Sequence, residues 1–323
     1  MLGSEKMKIP ENEYCELTLL FPLFNEEEVL PQLVSRITEC LHLLPARTEV
    51  ILINDGSSDR TRELIHKAVA RNSQFVGIHF SRNFGHQQAV SAGLAASKGE
   101  YVAVLDGDLQ DPPEIVPKFL AKAKEGFDVV YAIREKRKEG ILKKTAYRLF
   151  YRILDSLSKI HIPLDSGDFC LISRRVAKTI VAMPERHRFI RGLRAYCGFC
   201  QTGLRYERDR RLGGEPKYTL VRLLGLAADG VFTFSERPLK VATLFGFLSA
   251  ATGFLYAAYL LIWRLSSNES LPGFATIVLA ILFMGGVQLI CLGILGEYIG
   301  RIHNEVKGRP SFIIDTIETN KSS

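Results

Sequence analysis

The sequence predicts an α/β protein, a mostly parallel, doubly wound sheet followed by two membrane-spanning helices. Three observations lead there. Apolar strand-like runs alternate with helical periodicity through residues 16–133, each strand-like run ends in polar or acidic residues, and two uncharged apolar segments, 241–263 and 274–296, come late in the chain. Strands alternating with helices over short links favour a parallel sheet wound on both faces. Each late segment exceeds the ~20 residues needed to cross the hydrocarbon of a bilayer.

The first strand is expected over 16–24 and ends in Asn25-Glu26-Glu27-Glu28, acids that suit the start of a helix over 29–44. A second strand, 49–53, runs into Asn54-Asp55-Gly56-Ser57-Ser58-Asp59, where Ser57 or Ser58 can cap a helix over 60–70 and Asp55 is left to meet a ligand. A third strand, 75–80, leads through Ser81-Arg82-Asn83-Phe84-Gly85-His86 to a helix of small residues over 87–97. The fourth, 101–105, stops at Asp106-Gly107-Asp108-Leu109-Gln110-Asp111-Pro112-Pro113.

Ligands of open α/β sheets sit beyond the carboxyl ends of the strands, so four polar strand ends build one nucleotide-sized cleft. Asp106 and Asp108 stand at its mouth, with Gly107 between them to allow a sharp turn. Two carboxylates so placed suit a hard divalent cation that also grips phosphate oxygens. Neither G-x-G-x-x-G nor G-x-x-x-x-G-K-[ST] occurs, so a dinucleotide fingerprint and a P-loop are both excluded.

Taken together, Pro22-Leu23-Phe24-Asn25-Glu26, Asn54 to Asp59, Arg82-Asn83-Phe84-Gly85 and Asp106 to Glu114 resemble the successive motifs of the family 2 glycosyltransferases of GT-A fold. The branch they resemble most is the polyisoprenyl-phosphate glycosyltransferases, which includes dolichol-phosphate mannose synthase and the bactoprenol glucosyltransferases. The resemblance implies a nucleotide-sugar site made of Pro22, Asn25, Glu26, Asp55, Asn83, Gly85, Asp106 and Gln110, with Asp106 and Asp108 holding Mg²⁺ or Mn²⁺. It makes Asp106, Asp108 and Asp168 the catalytic acids, Asp168 facing the acceptor either as a base or as an orienting group. Arg208, Arg211 and Lys217, in a segment resembling the branch's Arg-x-x-Arg-x-x-Gly-x-x-Lys-Tyr, are expected to clamp the pyrophosphate or to join Arg134, Arg148 and Ser166 as ligands of the acceptor phosphate. Pro216 departs from that segment, where a serine is usual.

A fifth strand over 128–133 precedes a basic stretch and an amphipathic helix over 141–160, whose Lys143, Lys144, Arg148 and Arg152 accompany an apolar stripe in the manner of an interfacial helix. A turn and strand follow at 165–175, and a second interfacial helix over 218–234 leads to the spans. The expected division is 1–135 for the nucleotide-sugar half, 136–236 for the acceptor half, 237–300 for two spans at about 240–264 and 274–298, and 301–323 for a tail. A short apolar run after Gly308-Arg309-Pro310 is expected to add a strand to a neighbouring subunit.

The 323 residues carry 42 Lys and Arg against 35 Asp and Glu, a net charge of +7, with the excess concentrated near 134–152 and 186–222. Beside two spans, an anionic lipid surface accounts for these patches better than nucleic acid does. The flanking cations place the catalytic domain and both termini in the cytoplasm of a two-pass plasma-membrane protein, and Gly285-Gly286 permits the close helix packing of a homo-oligomer. Cys197 and Cys200 form a lone C-x-x-C with no second pair, read as ordinary thiols.

The function expected is therefore inverting transfer of a hexose, glucose first, from a UDP-sugar to polyprenyl phosphate, a hexosyltransferase reaction. The alternatives are another donor such as GDP-mannose, UDP-galactose or a UDP-amino sugar, a processive synthase, for which Q-x-x-R-W is missing, and a non-catalytic scaffold that binds nucleotide sugar.

Overall fold

The computed structural model describes residues 15–134, 166–186, 188–206, 237–266 and 273–320. They fall into two compact units, one holding the described residues up to 206 together with those from 309 onward, the other holding 237–308.

The first unit is built on an eight-stranded sheet. Its centre is parallel: β1 (Cys15–Leu23) lies between β2 (Thr48–Asn54) and β4 (Gly99–Val104), and β3 (Phe75–Phe80) flanks β2. These strands are near-continuous apolar runs because both faces are covered, and from Leu17 to Leu23 every β1 residue is buried. On one side β6 (Ser166–Ser173) runs antiparallel to β4, β5 (Val129–Arg134) runs antiparallel to β6, and β7 (Gln201–Tyr206) closes the edge parallel to β5. Four of the seven pairings are parallel, which gives the mostly parallel sheet expected.

Helices cover both faces. α1 (Leu30–Cys40) buries Leu30, Leu33, Ile37 and Cys40, one stripe at helical spacing, into a core that includes Leu19, Phe21, Leu52 and Phe119. Each such side chain contributes roughly 1.5–3 kcal/mol on leaving water. α2 (Thr61–Arg71), α3 (His86–Ala96), α4 (Val116–Lys124), α5 (Arg174–Ala182) and α6 (Ile190–Tyr196) complete the layers. Neither Ser57 nor Ser58 caps α2; Asp59 Oδ1 accepts the Thr61 N–H at 3.0 Å, and the Ser57 hydroxyl accepts from Asn25 N instead.

The far edge corrects an expectation. β8 (Ile314–Thr319) is no strand donated to a neighbour but pairs antiparallel with β3 of its own sheet. Its side chains explain why it stays. Arg62 reaches Asp315 and Thr316, Glu318 lies 3.2 Å from His66, and Phe312 stacks on Phe80 at 5.4 Å.

The second unit consists of α7 (Arg237–Ser266) and α8 (Phe274–Val306), 30 and 33 residues long. Both contain stretches long and apolar enough to cross a membrane, Leu239–Trp263 and Ala280–Val306. Core helices of a soluble protein would bury such side chains, yet Phe254 is 76% exposed and Leu289 71%. The hydroxyls of Thr243, Thr252 and Ser266 donate to carbonyls four residues back, which satisfies them without water. The expected interfacial helices at 141–160 and 218–234 lie outside the described residues.

Candidate active site

The strand ends of the first unit meet as anticipated. After β1, Asn25 adopts φ +53°, a left-handed conformation that asparagine tolerates better than most residues. Its Oδ1 accepts the Ser58 N–H at 2.9 Å, and Glu26 N donates to Thr61 Oγ1 at 3.0 Å, so the loops after β1 and β2 are stitched together. Pro22 is buried in β1 opposite Ile53, while Asn25 is exposed and Glu26 half-buried at the rim.

Asp55 lies deeper than a residue that only greets a ligand. Its carboxylate accepts Phe84 N at 2.7 Å, Gly85 N at 2.9 Å and Asn83 Nδ2 at 3.1 Å, and the residue is 3% exposed. Burial pushes its pKa up, against the opposing pull of the Phe84 and Gly85 amides and of His86. Asp55 thus shapes the 83–85 loop from beneath. Gly56 permits the approach: at φ +64°, a Cβ there would lie 2.2 Å from the carbonyl carbon of Arg82.

The Asp106-Gly107-Asp108 turn differs from expectation in one detail. Gly107 has no left-handed backbone; a Cβ there would meet the Leu23 side chain at 2.4 Å, so the turn packs closely on the end of β1. The left-handed residue is Leu109, at φ +60° and 1% exposed. The surroundings hold it there. Its carbonyl faces Arg36 Nη1 at 3.5 Å, and Arg36 grips Glu114 through two bonds of 2.7 and 3.0 Å. Gln110 N donates to Asp108 Oδ1 at 3.1 Å, and Asp111 accepts the Tyr206 hydroxyl at 2.6 Å, which ties the turn to the end of β7.

Because β6 runs antiparallel to β4, with Val104 opposite Cys170, its first residues stand beside the last residues of β4. This brings Asp168 to the same rim as Asp106. His86, the first residue of α3, lies between them, its Nε2 3.8 Å from Asp106 Oδ1 and 3.9 Å from Asp168 Oδ2. Arg191 of α6 pairs with Asp168 through Nε at 2.7 Å and Nη2 at 2.9 Å.

The two acids are driven apart in acidity. Burial raises both; for Asp168 the Arg191 charge and hydrogen bonds, with His86 and Arg194, more than reverse this and hold it well below the usual carboxylate range. Among the described residues no guanidinium pairs with Asp106. Burial first, then Asp111, Asp168 and Asp108, push it up to about 6 against the pull of His86. Such crowding of carboxylates is what a bound cation offsets, and oxygen donors suit Mg²⁺ or Mn²⁺. Among the described residues no group of three or more His, Cys, Asp or Glu is arranged to hold a metal ion by itself; the carboxylates this rim offers such an ion are those of Asp106 and Asp108.

Arg134 ends β5 opposite the start of β6, where Ser166 opens the strand, so both backbones reach this rim. Arg148, Arg208, Arg211 and Lys217 lie outside the described residues.

The family model for glycosyl transferase family 2 matches residues 18–181, from β1 to α5, which takes in Asp55, His86, Asp106, Asp108 and Asp168 but ends before Arg191 and Tyr206. The chain belongs to that family. A second model, the GtrB C-terminal hairpin, matches residues 237–302 of this glycosyltransferase. An uncharacterized glycosyltransferase of Bacillus subtilis, YkcC, is 40% identical over 304 residues, covering 94% of each chain. The bactoprenol glucosyl transferase of Shigella phage SfII is 39% identical over 300 residues, 93% of this chain and 97% of that one. A prophage bactoprenol glucosyl transferase homolog of Escherichia coli is 36% identical over 94% of this chain and 99% of its own. Among solved structures, glucosyl-3-phosphoglycerate synthase from Mycobacterium tuberculosis, in complex with Mn²⁺, UDP-glucose and phosphoglyceric acid, aligns with TM-score 0.46 and 20% identity over 68% of this chain and 78% of its own.

Three residues of the glycosyltransferase site escaped the sequence reading. His86 was visible only as the end of a loop motif, and Tyr206 as the start of another. Arg191 gave no signal, since one arginine in an Arg-rich segment is indistinguishable from its neighbours until α6 is folded against β6.

Proposed function

We propose that this glycosyltransferase moves a hexose, glucose in the first instance, from its UDP carrier to the phosphate of a long-chain polyprenol at the cytoplasmic face of a membrane, with inversion. The observation that carries this reading is the meeting of the Asp106/Asp108 turn with an Arg191-held Asp168 on one rim, in a chain that matches the GtrB C-terminal hairpin and has relatives named for bactoprenol glucosyl transfer.

In the reaction a phosphate oxygen of the acceptor attacks the anomeric carbon, the bond from that carbon to the β-phosphate oxygen breaks, and its electron pair leaves with UDP. Asp106 and Asp108 would hold a divalent cation, which when bound would supply charge to offset the departing diphosphate. A phosphate monoester is already anionic at neutral pH, so no base is needed to make it a nucleophile. Asp168 suits this scheme as a fixed anion, because a carboxylate paired to Arg191 is a weak base but a well-oriented hydrogen-bond acceptor for a sugar hydroxyl. Asp55 holds the 83–85 loop against the donor, and Asn25 and Glu26 line the rim where the nucleoside would rest. Arg134, Arg148, Ser166, Arg208, Arg211 and Lys217 are assigned to the acceptor phosphate, for which guanidinium forks are suited. The apolar α7 and α8 keep the enzyme where its lipid substrate is.

The test is direct: purified full-length protein, undecaprenyl phosphate and UDP-glucose, with Mg²⁺ or Mn²⁺, should yield a glucolipid and UDP. Turnover with GDP-mannose or UDP-galactose in place of UDP-glucose would reassign the donor, and no glycolipid from any donor would overturn the acceptor.

A further inference from the structure

The first turn of α3 touches both sides of the site. His86 faces Asp106 and Asp168, as described. Gln88 Nε2 donates to the Arg186 carbonyl at 3.1 Å, and Gln87 Oε1 accepts the Ile190 N–H at 2.9 Å. Ile190 is the first residue of α6, the helix that carries Arg191 and Arg194. A helix leaves its first N–H groups without internal partners, and one of only seven residues has little stability of its own. Where α6 begins is therefore set from outside, and the Gln87 amide is one of the groups that set it.

We propose that Gln87 is a positioning residue for acceptor-side catalysis: by holding the first amide of α6, it aims Arg191 at Asp168. The inference rests on the function proposed above. One step past Ile190, Arg191 makes its two-pronged bond to Asp168, and one turn later Arg194, 2% exposed, adds its charge from a position 5.6 Å over the Tyr131 ring. A slip of α6 therefore moves both cations relative to Asp168 at once. The fork geometry tolerates little of this, since two parallel N–H bonds need the guanidinium and carboxylate planes to coincide. The other end of the link is equally defined. α3 follows directly on Gly85, whose N–H donates to Asp55, so Gln87 is placed by the same loop that faces the donor. The side chain is half-buried, with no charge of its own to bring to the reaction, which separates its role from that of His86.

The experiment uses full-length protein in nanodiscs with UDP-glucose and undecaprenyl phosphate. Gln87→Met keeps the length and removes the acceptor atom, and it should lower kcat about tenfold or raise acceptor KM comparably, while UDP affinity stays within about twofold, because a misplaced positioning contact costs turnover rather than donor binding. Gln87→Glu restores an oxygen at the same reach and should recover most of the loss. In an Asp168→Asn background Gln87→Met should cost less than about twofold more, since residues acting through one another are not additive. Arg191→Gln should reproduce the same split, which covers the case in which Gln87→Met does not fold. The proposal is overturned if Gln87→Met transfers glucose like the parent, if its cost is undiminished beside Asp168→Asn, or if Arg191→Gln leaves turnover unchanged. Should the parent itself glycosylate no polyprenyl phosphate, the functional reading fails separately; hydrogen exchange across 188–197 then decides, faster in Gln87→Met if α6 is held as described and unchanged if it is not.

Discussion

Arg191 meets Asp168 as fork to carboxylate, Nε to Oδ1 at 2.7 Å and Nη2 to Oδ2 at 2.9 Å, with the Asp168 side chain 17% exposed. The pair joins α6 to the start of β6 at the rim where β4 delivers Asp106. It also decides what Asp168 is: an anion at neutral pH whose orientation is set by α6.

Removing the fork should be costly at neutral pH, and less so in acid. Burial alone would raise the Asp168 pKa, but Arg191 brings it below the ~3.9 of an unfolded aspartate, so the pairing contributes fully above that value and is lost as pH falls through the folded one. Arg191→Gln should therefore cost about 1.5–3 kcal/mol at neutral pH and move the onset of acid unfolding to higher pH. Denaturant titrations of parent and variant at pH 7 and in the acid range check both statements.

Asp108→Asn should lower transfer roughly 100-fold or more, the usual scale for losing a group aimed at developing charge. UDP release from UDP-glucose with acceptor present, measured with and without EDTA, gives the comparison. In the parent, chelation should reproduce the loss; in Asp108→Asn, it should add little.

Leu109 offers a test of backbone strain. A left-handed leucine costs about 1–2 kcal/mol, a cost that alanine shares and glycine escapes. Both substitutions lose the buried side chain, so Leu109→Gly should be less destabilising than Leu109→Ala by about 1 kcal/mol, the reverse of their usual order. Denaturation midpoints of the two variants settle the ranking.

Gly56→Ala should disturb the donor loop rather than the acceptor side. The added methyl falls 2.2 Å from the Arg82 backbone, and the left-handed φ adds strain, for about 1–3 kcal/mol of lost stability. UDP binding by calorimetry should weaken in step, since the 83–85 loop that Asp55 holds lies against the same glycine.

Phe312→Ala removes the ring stacked on Phe80, which in turn meets Phe84 edge-on at 5.7 Å. About 0.5–1.5 kcal/mol of aromatic pairing disappears along with the buried area. Truncation after residue 308 removes β8 entirely and leaves β3 with an open edge, a known route to aggregation. Thermal unfolding of the point variant and size-exclusion of the truncated chain report these effects.

The sequence alone determined the parallel centre of the sheet, the polar strand ends that converge on Asp106 and Asp108, and the two long apolar helices. Each is a local pattern: the period of a strand, the chemistry of a turn, the length of an uncharged run. Tertiary structure alone decided that β6 enters antiparallel between β4 and β5, which sets Asp168 against Asp106, that α6 brings Arg191 to it, and that β8 returns to its own sheet. Those choices depend on which distant surfaces bury one another and which charges are left to pair, and nothing in the neighbourhood of Arg191 or Ile314 along the chain encodes them.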